Sequence, residues 1–225
     1  MRPASQQITL ADVDEVVPFE PSPARRGPRA SSTYFGREVF HKLEVFNLRG
    51  YERVIYLDCD TVVLDDISPL WDPGEYRDLP FYAVRETAEQ GVHPATRGKL
   101  NTGVMVINRP LLDGRAHDQM LTIADSRRSY DGGDQGVVNA YLENAGHGIA
   151  GELDPSYNVL VRAKRFGKWE LLRDRIRILH YVNRWKPWSE NHARDWLFDP
   201  ELKRLWDDAY RVPQRRAGGS GAPRP

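Results

Sequence analysis

Apolar residues recur along this chain in two rhythms. Over residues 34–48, Phe35, Val39, Leu43 and Phe46 return at spacings of three and four, the period of a helix with one buried face. Gly50 sits just past that run, as a helix stop should. The rhythm then changes. Val54, Ile55, Tyr56 and Leu57 form an unbroken apolar run that ends abruptly in carboxylates, the pattern of a buried central strand in an α/β sheet. FYAV (Phe81–Val84), GVMVINR (Gly103–Arg109) and RIRILHY (Arg175–Tyr181) predict further strands, and residues 116–126 and 134–145 predict helices. ITLADVDEVVPF, residues 8–19, reads as a strand edge and a connection. Residues 20–33, rich in Pro, Arg, Ser and Ala, read as an exposed loop. Residues 213–225, PQRRAGGSGAPRP, are of low complexity and are expected to be disordered.

Composition narrows this little. The 225 residues suit one domain with a real core. Their 32 basic and 32 acidic side chains balance, so net charge points to no nucleic-acid or membrane partner. No apolar run approaches the roughly 20 residues of a membrane span, and Met1–Leu10 lacks a secretory pattern. Cys59 is the single cysteine, which rules out an internal disulfide and suits a reducing compartment; a soluble cytoplasmic protein is the expectation.

Candidate chemistry concentrates at strand ends, where open α/β sheets place their ligands. Asp58 and Asp60 flank Cys59 directly after the run 54–57. On a strand, residues i and i+2 share a face, and two carboxylates on one face make a hard-oxygen site for Mn²⁺ or Mg²⁺. A solvated acidic turn is the competing reading. His180 ends the last strand, where it is either a hydrogen-bonded structural histidine or a nitrogen ligand, and Lys186 follows in KPW as a point charge suited to phosphate. In Asp131-Gly132-Gly133-Asp134-Gln135-Gly136, the paired glycines permit a tight turn and Asp134 falls where a helix N-cap belongs. That segment is either a turn with a cap or a set of side chains offered to a sugar ring. Asn101-Thr102-Gly103, before a strand, is a fourth and weaker signal.

Taken together, YERVIYLDCDTVVLDDISPLWD, LNTGVMVINR, YDGGDQGVVNAYL and ILHYVNRWKPW resemble glycosyltransferase family 8 in words, order and spacing, over about residues 31–190. The resemblance is nearest the glycogenin and galactinol-synthase branch. It implies a GT-A (Rossmann-like) nucleotide-diphospho-sugar transferase fold, a mixed central sheet flanked by helices. It also implies retaining transfer of a hexose from a UDP-sugar to a carbohydrate or other hydroxyl acceptor, with Mn²⁺. Asp58, Asp60 and His180 match the family's metal ligands. Lys186 matches the lysine at the donor diphosphate, Lys42 a basic residue facing the donor, and Asn101 a sugar-contacting position. Asp131, Asp134 and Gln135 match the segment beside the transferred sugar. Asp134 is the better candidate if the reaction uses a nucleophile, since Gln135 is a poor one. The implied division is an N-terminal strand remnant and loop over residues 1–30, a catalytic domain over 31–212 and a tail over 213–225.

The family pattern begins with a strand–helix unit whose strand end holds uridine, and this sequence is expected to lack it, joining the pattern near residues 8–19. An impaired nucleotide-sugar or metal-binding remnant is therefore the alternative function. Asn183 stands where the family usually has glycine, in the donor-side turn between His180 and Lys186. Asparagine tolerates positive φ better than most residues, so the turn is expected to survive.

Overall fold

A computed structural model describes residues 37–126, 129–146, 148–182, 184–195 and 197–217. The strand edge expected over residues 8–19, the loop over 20–33 and Asn183 lie outside them.

Among the described residues, seven strands form two sheets. The larger has the order β1 (Arg53–Leu57), β4 (Leu100–Asn108), β3 (Phe81–Arg85), β5 (Ala150–Glu152). Here β4 runs antiparallel to both β1 and β3, and β5 is parallel to β3. The smaller has the order β2 (Thr61–Val63), β7 (Ile178–His180), β6 (Val159–Leu160), with β7 antiparallel to β2 and parallel to β6. The centre of the larger sheet is β4, buried at every one of its nine residues. Alternation over residues 104–107 sorts the core, and the register shift before them brings Leu100 to the same side as Met105. Leu100, Met105 and Ile107 pack with the helices, while Val104 and Val106 face a second cluster that includes Tyr82, Leu153, Tyr157 and Ile178 of β7.

The expected helices are present as α1 (Arg115–Asp125) and α2 (Asp134–Asn144), both packed on the Met105 face. The helix expected over residues 34–48 is a 3-10 helix, Arg37–Asn47. Phe40, Leu43 and Phe46 recur every three residues and so fall on one face of that tighter coil, in the same core. Gly50 follows with φ +94°, a conformation that suits glycine.

Three expectations are corrected. The run Val54–Leu57 is half-buried throughout rather than fully buried, and among the described residues β1 pairs only with β4. An apolar run reports burial of side chains and says nothing of a second neighbouring strand. The strand expected over Arg175–Tyr181 shrinks to Ile178–His180, because Arg173–Arg175 turns as a short 3-10 helix. The tail expected to be disordered from residue 213 is helical as far as Ala217, the end of the helix Pro200–Ala217. Leu202 and Trp206 anchor that helix in a third cluster with Val62, Trp169, Leu179 and Tyr181. Among the described residues, no helix is long and apolar enough to cross a membrane.

Candidate functional site

Asp58 and Asp60 lie in the turn joining β1 to β2 rather than on a strand, so strand alternation is not what aligns them. The turn does this instead. Asp58 N donates to Gly103 O of β4 (2.8 Å), while Thr61 N and Oγ1 both donate to Asp58 O (3.1 and 2.7 Å). Register then supplies the histidine. Thr61 pairs with His180, and Tyr181 N donates to Asp60 O (2.8 Å), extending the β2–β7 ladder to the turn. His180 Nε2 comes within 3.2 Å of Asp60 Oδ1 and 3.7 Å of Asp58 Oδ2. One ligand atom from each of the three side chains lies within 4.8 Å of the others. Gly103 makes room for the ring, since a Cβ there would sit 2.2 Å from His180 Cε1.

Two carboxylate oxygens and an imidazole nitrogen fit a divalent cation of the Mn²⁺ or Mg²⁺ type. Two lysines compensate the carboxylates. Lys186 Nζ lies 2.5 Å from Asp60 Oδ2 and donates to Tyr181 O at 3.0 Å. Lys42 Nζ lies 2.9 Å from Asp58 Oδ1 and 2.7 Å from Asp134 Oδ2. Burial alone would push the Asp60 carboxyl up, but the hydrogen bond and charge of His180, and then Lys186, hold it well below the usual carboxylate range. For Lys42, burial opposes the charged form, and the carboxylates of Asp134 and Asp58 outweigh it and raise its pKa. Burial raises the Tyr56 phenol, with Asp58 adding to the shift, and that phenol donates to Asp58 Oδ1 at 2.8 Å.

The Lys186 loop is held from behind. Trp185 N donates to Asp195 Oδ2 (2.9 Å), and His192 Nδ1 lies 2.9 Å from Trp185 O.

On the other side of Lys42, the glycine-rich segment opens α2. Its N-cap is Gly133 and not Asp134, because Asp131 performs the capping. Asp131 Oδ1 accepts from Gly133 N (2.9 Å), Gly136 N (3.1 Å) and Ser129 Oγ (2.8 Å). Asp134 is thereby freed to face the site, where its Oδ2 also accepts from Thr102 Oγ1 (3.0 Å). Gln135 Nε2 donates to Glu86 Oε1 (3.1 Å) and to Tyr130 OH (2.8 Å).

Asn101 enters through an irregularity in the β3–β4 ladder. Ala83 pairs with Met105, yet Val84 pairs with Asn101, so residues 102–104 bulge out of the register. Asn101 Nδ2 donates to Glu86 Oε1 (2.8 Å), and its Oδ1 accepts from Gly103 N (2.9 Å) and from Asn158 Nδ2 (2.8 Å). The cluster thus unites Lys42, Asp58, Asp60, Asn101, Asp134, Gln135, His180 and Lys186. Asp131 is set one layer back in its own loop.

Two members were not singled out in the sequence. Glu86 directly follows β3, and the rule that drew attention to Asp58, a carboxylate just past an apolar strand, applies to it equally. Asn158 precedes the two-residue strand β6 and carries no local pattern that marks it.

Known proteins bear on this arrangement. The sequence profile described as "Glycosyl transferase family 8" matches residues 5–192. Glycogenin-1 of Mus musculus is 28% identical over 189 residues, covering 75% of this chain and 50% of that protein. The apo form of glycosyltransferase GlyE of Streptococcus pneumoniae superposes with a TM-score of 0.57 at 21% identity, over 76% of this chain and 42% of that one. A WbbM bifunctional glycosyltransferase gives 0.56 at 18%, over 79% and 37%. The fold is therefore GT-A, and the chain spans half or less of the length of these proteins. With the profile spanning most of its length, the chain belongs to glycosyltransferase family 8.

Proposed function

We propose that this chain is a retaining hexosyltransferase that takes its sugar from a UDP-sugar and delivers it to a hydroxyl acceptor, with Mn²⁺, or Mg²⁺ in its place, held by Asp58, Asp60 and His180. The observation that carries the reading is the convergence of those three side chains with two ammonium groups at the open ends of two sheets. The bound cation would supply charge neutralisation for a departing diphosphate. Lys186 adds a point charge to the same leaving group, exchanging Asp60 for phosphate oxygens. Lys42 fixes the Asp58 and Asp134 carboxylates and keeps a positive charge facing the donor. Asn101 and Gln135 offer amides to sugar hydroxyls, and Asp131 holds the loop that presents Asp134 and Gln135.

Asp134 is the carboxylate placed for a covalent route. Its ion pair with Lys42 and its hydrogen bond from Thr102 both fall on Oδ2, so neither engages the lone pairs of Oδ1.

The test is UDP release from a panel of UDP-hexoses by the purified chain, with and without Mn²⁺, followed by NMR assignment of the product anomer. Metal-stimulated release with retained configuration supports the reading. Failure to bind or turn over any UDP-hexose in Mn²⁺ contradicts it.

A further inference from the structure

The buried amides behind His180 form a chain whose hydrogen-bond polarity can be read from one end. Gly103 N is a backbone donor, so the Asn101 atom 2.9 Å from it is the carbonyl oxygen. Asn101 must then turn its NH₂ to Glu86 Oε1, a carboxylate oxygen that accepts at 2.8 Å. With Asn101 Oδ1 fixed as an acceptor, the Asn158 atom 2.8 Å away is the NH₂. The remaining Asn158 atom is its carbonyl oxygen, 3.0 Å from His180 Nδ1. A carbonyl oxygen cannot donate, so Nδ1 carries the proton.

Neither amide can be reversed without setting donor against donor or acceptor against acceptor inside the protein. Asn158 is fully buried and Asn101 is 6% exposed, so no bulk solvent is at hand to repair such a mismatch. The Asn158 backbone is held as well. Its carbonyl accepts from Gln90 Nε2 (3.0 Å), and Gln90 Oε1 accepts from Leu160 N (3.0 Å).

From this we infer that Asn158 is a positioning residue for the site: it holds His180 as the Nδ1–H form in every protonation state, so that Nε2 is always the atom presented to Asp58 and Asp60. A neutral imidazole has one lone pair to give a cation, and the nitrogen that carries it is chosen by the hydrogen bond at the other nitrogen. The same chain ends on Glu86, whose Oε1 also accepts from Gln135 Nε2, so the amides that fix the histidine are continuous with those on the sugar side. The inference rests on the metal reading above for its purpose. Its geometric content, the tautomer, is independent of that reading.

The test has two arms. In the first, long-range ¹H–¹⁵N correlation spectra of the metal-free protein, at a pH where the imidazole is neutral, report the His180 tautomer. The expected result is Nδ1–H in the wild type and in Asn158→Asp, whose carboxylate still accepts from Nδ1. Loss of the fixed form is expected in Asn158→Leu. In the second, Mn²⁺ affinity is measured by titration without nucleotide. Asn158→Leu should bind about 10- to 100-fold more weakly, the usual cost of removing the partner of a ligating histidine. Asn158→Asp should recover part of that loss, because it restores an acceptor for Nδ1 while setting its other oxygen against Asn101 Oδ1, and a purely packing role would not explain any recovery.

An Nε2–H wild type overturns the inference, as does a folded Asn158→Leu with wild-type affinity. A wild type that holds the Nδ1–H form yet binds no Mn²⁺ would overturn the metal reading and leave the role of Asn158 standing.

Discussion

The two sheets share one apolar layer but are built on different terms. The larger is organised around β4, nine buried residues in which 104–107 alternate between two apolar clusters. The smaller has strands of two and three residues, yet it places His180 opposite Thr61 and so beside Asp58 and Asp60. Where β4 contributes to the site, it does so beside its break in register against β3, at Asn101 and residues 102–104. Burial therefore supplies stability where the pattern is regular, and polar side chains converge where a strand ends, turns or bulges.

That division predicts a double dissociation. The largest effect on folding should come from Met105→Ala, deep in the larger sheet. Removing a fully buried Met side chain should cost about 2–5 kcal/mol, read from denaturant midpoints, while turnover per folded molecule is unchanged. Loss of turnover with wild-type stability would break the comparison. The converse is Lys186→Ala. Its turnover at saturating donor and Mn²⁺ should fall by about ten- to a thousandfold, on the scale of removing one transition-state donor, while the unfolding midpoint falls less than in Met105→Ala, His180 still facing Asp60. Lys186→Arg should recover only part of the loss, because the guanidinium differs in shape and hydration. Wild-type turnover in Lys186→Ala would remove that residue from the reaction.

How far the sequence revealed this follows the same line. The strands around Val104–Asn108 and Phe81–Val84, and helices α1 and α2, were legible because alternation and helical period are local properties. The single pairing of β1 among the described residues was not, since the run Val54–Leu57 carries no information about which strands flank it. Asp58 and Asp60 were marked by their place after an apolar run. Their meeting with His180 depends on pairing Thr61 with His180 across more than a hundred residues, which no local pattern encodes. Only the resemblance of ordered motifs pointed to it. Asp134 shows a subtler failure: the Gly-Gly turn identified the start of α2 correctly, but the capping went to Asp131, whose reach back to Gly136 N depends on the loop's three-dimensional path.

Because Lys186 holds Asp60 at 2.5 Å, an incoming cation meets an ammonium already in place. Lys186→Ala should therefore bind Mn²⁺ about fivefold or more tightly without nucleotide, since like charges about 4 Å apart repel by about 1 kcal/mol even in water. Unchanged or weaker Mn²⁺ binding would show that the lysine does not compete.

The smallest effect is on acid stability. The Asp60 carboxyl is held below its ordinary value in the folded chain, so its contribution is present above the unfolded pKa of about 3.9 and is lost as pH falls toward the folded value. The stability gap between wild type and Asp60→Asn should be constant near neutrality and narrow below about pH 4, in unfolding curves recorded at stepped pH. A gap that widens on acidification would contradict the sign.

The proposed cation site, where β1 and β7 end and β2 begins, is tested most directly by Mn²⁺ titration followed by electron paramagnetic resonance on the metal-free protein. Saturable binding by the wild type, loss of that binding in Asp60→Asn, and weakened binding in His180→Ala are expected, with both variants folded. Wild-type Mn²⁺ binding by folded Asp60→Asn, or none by the wild type, would contradict it.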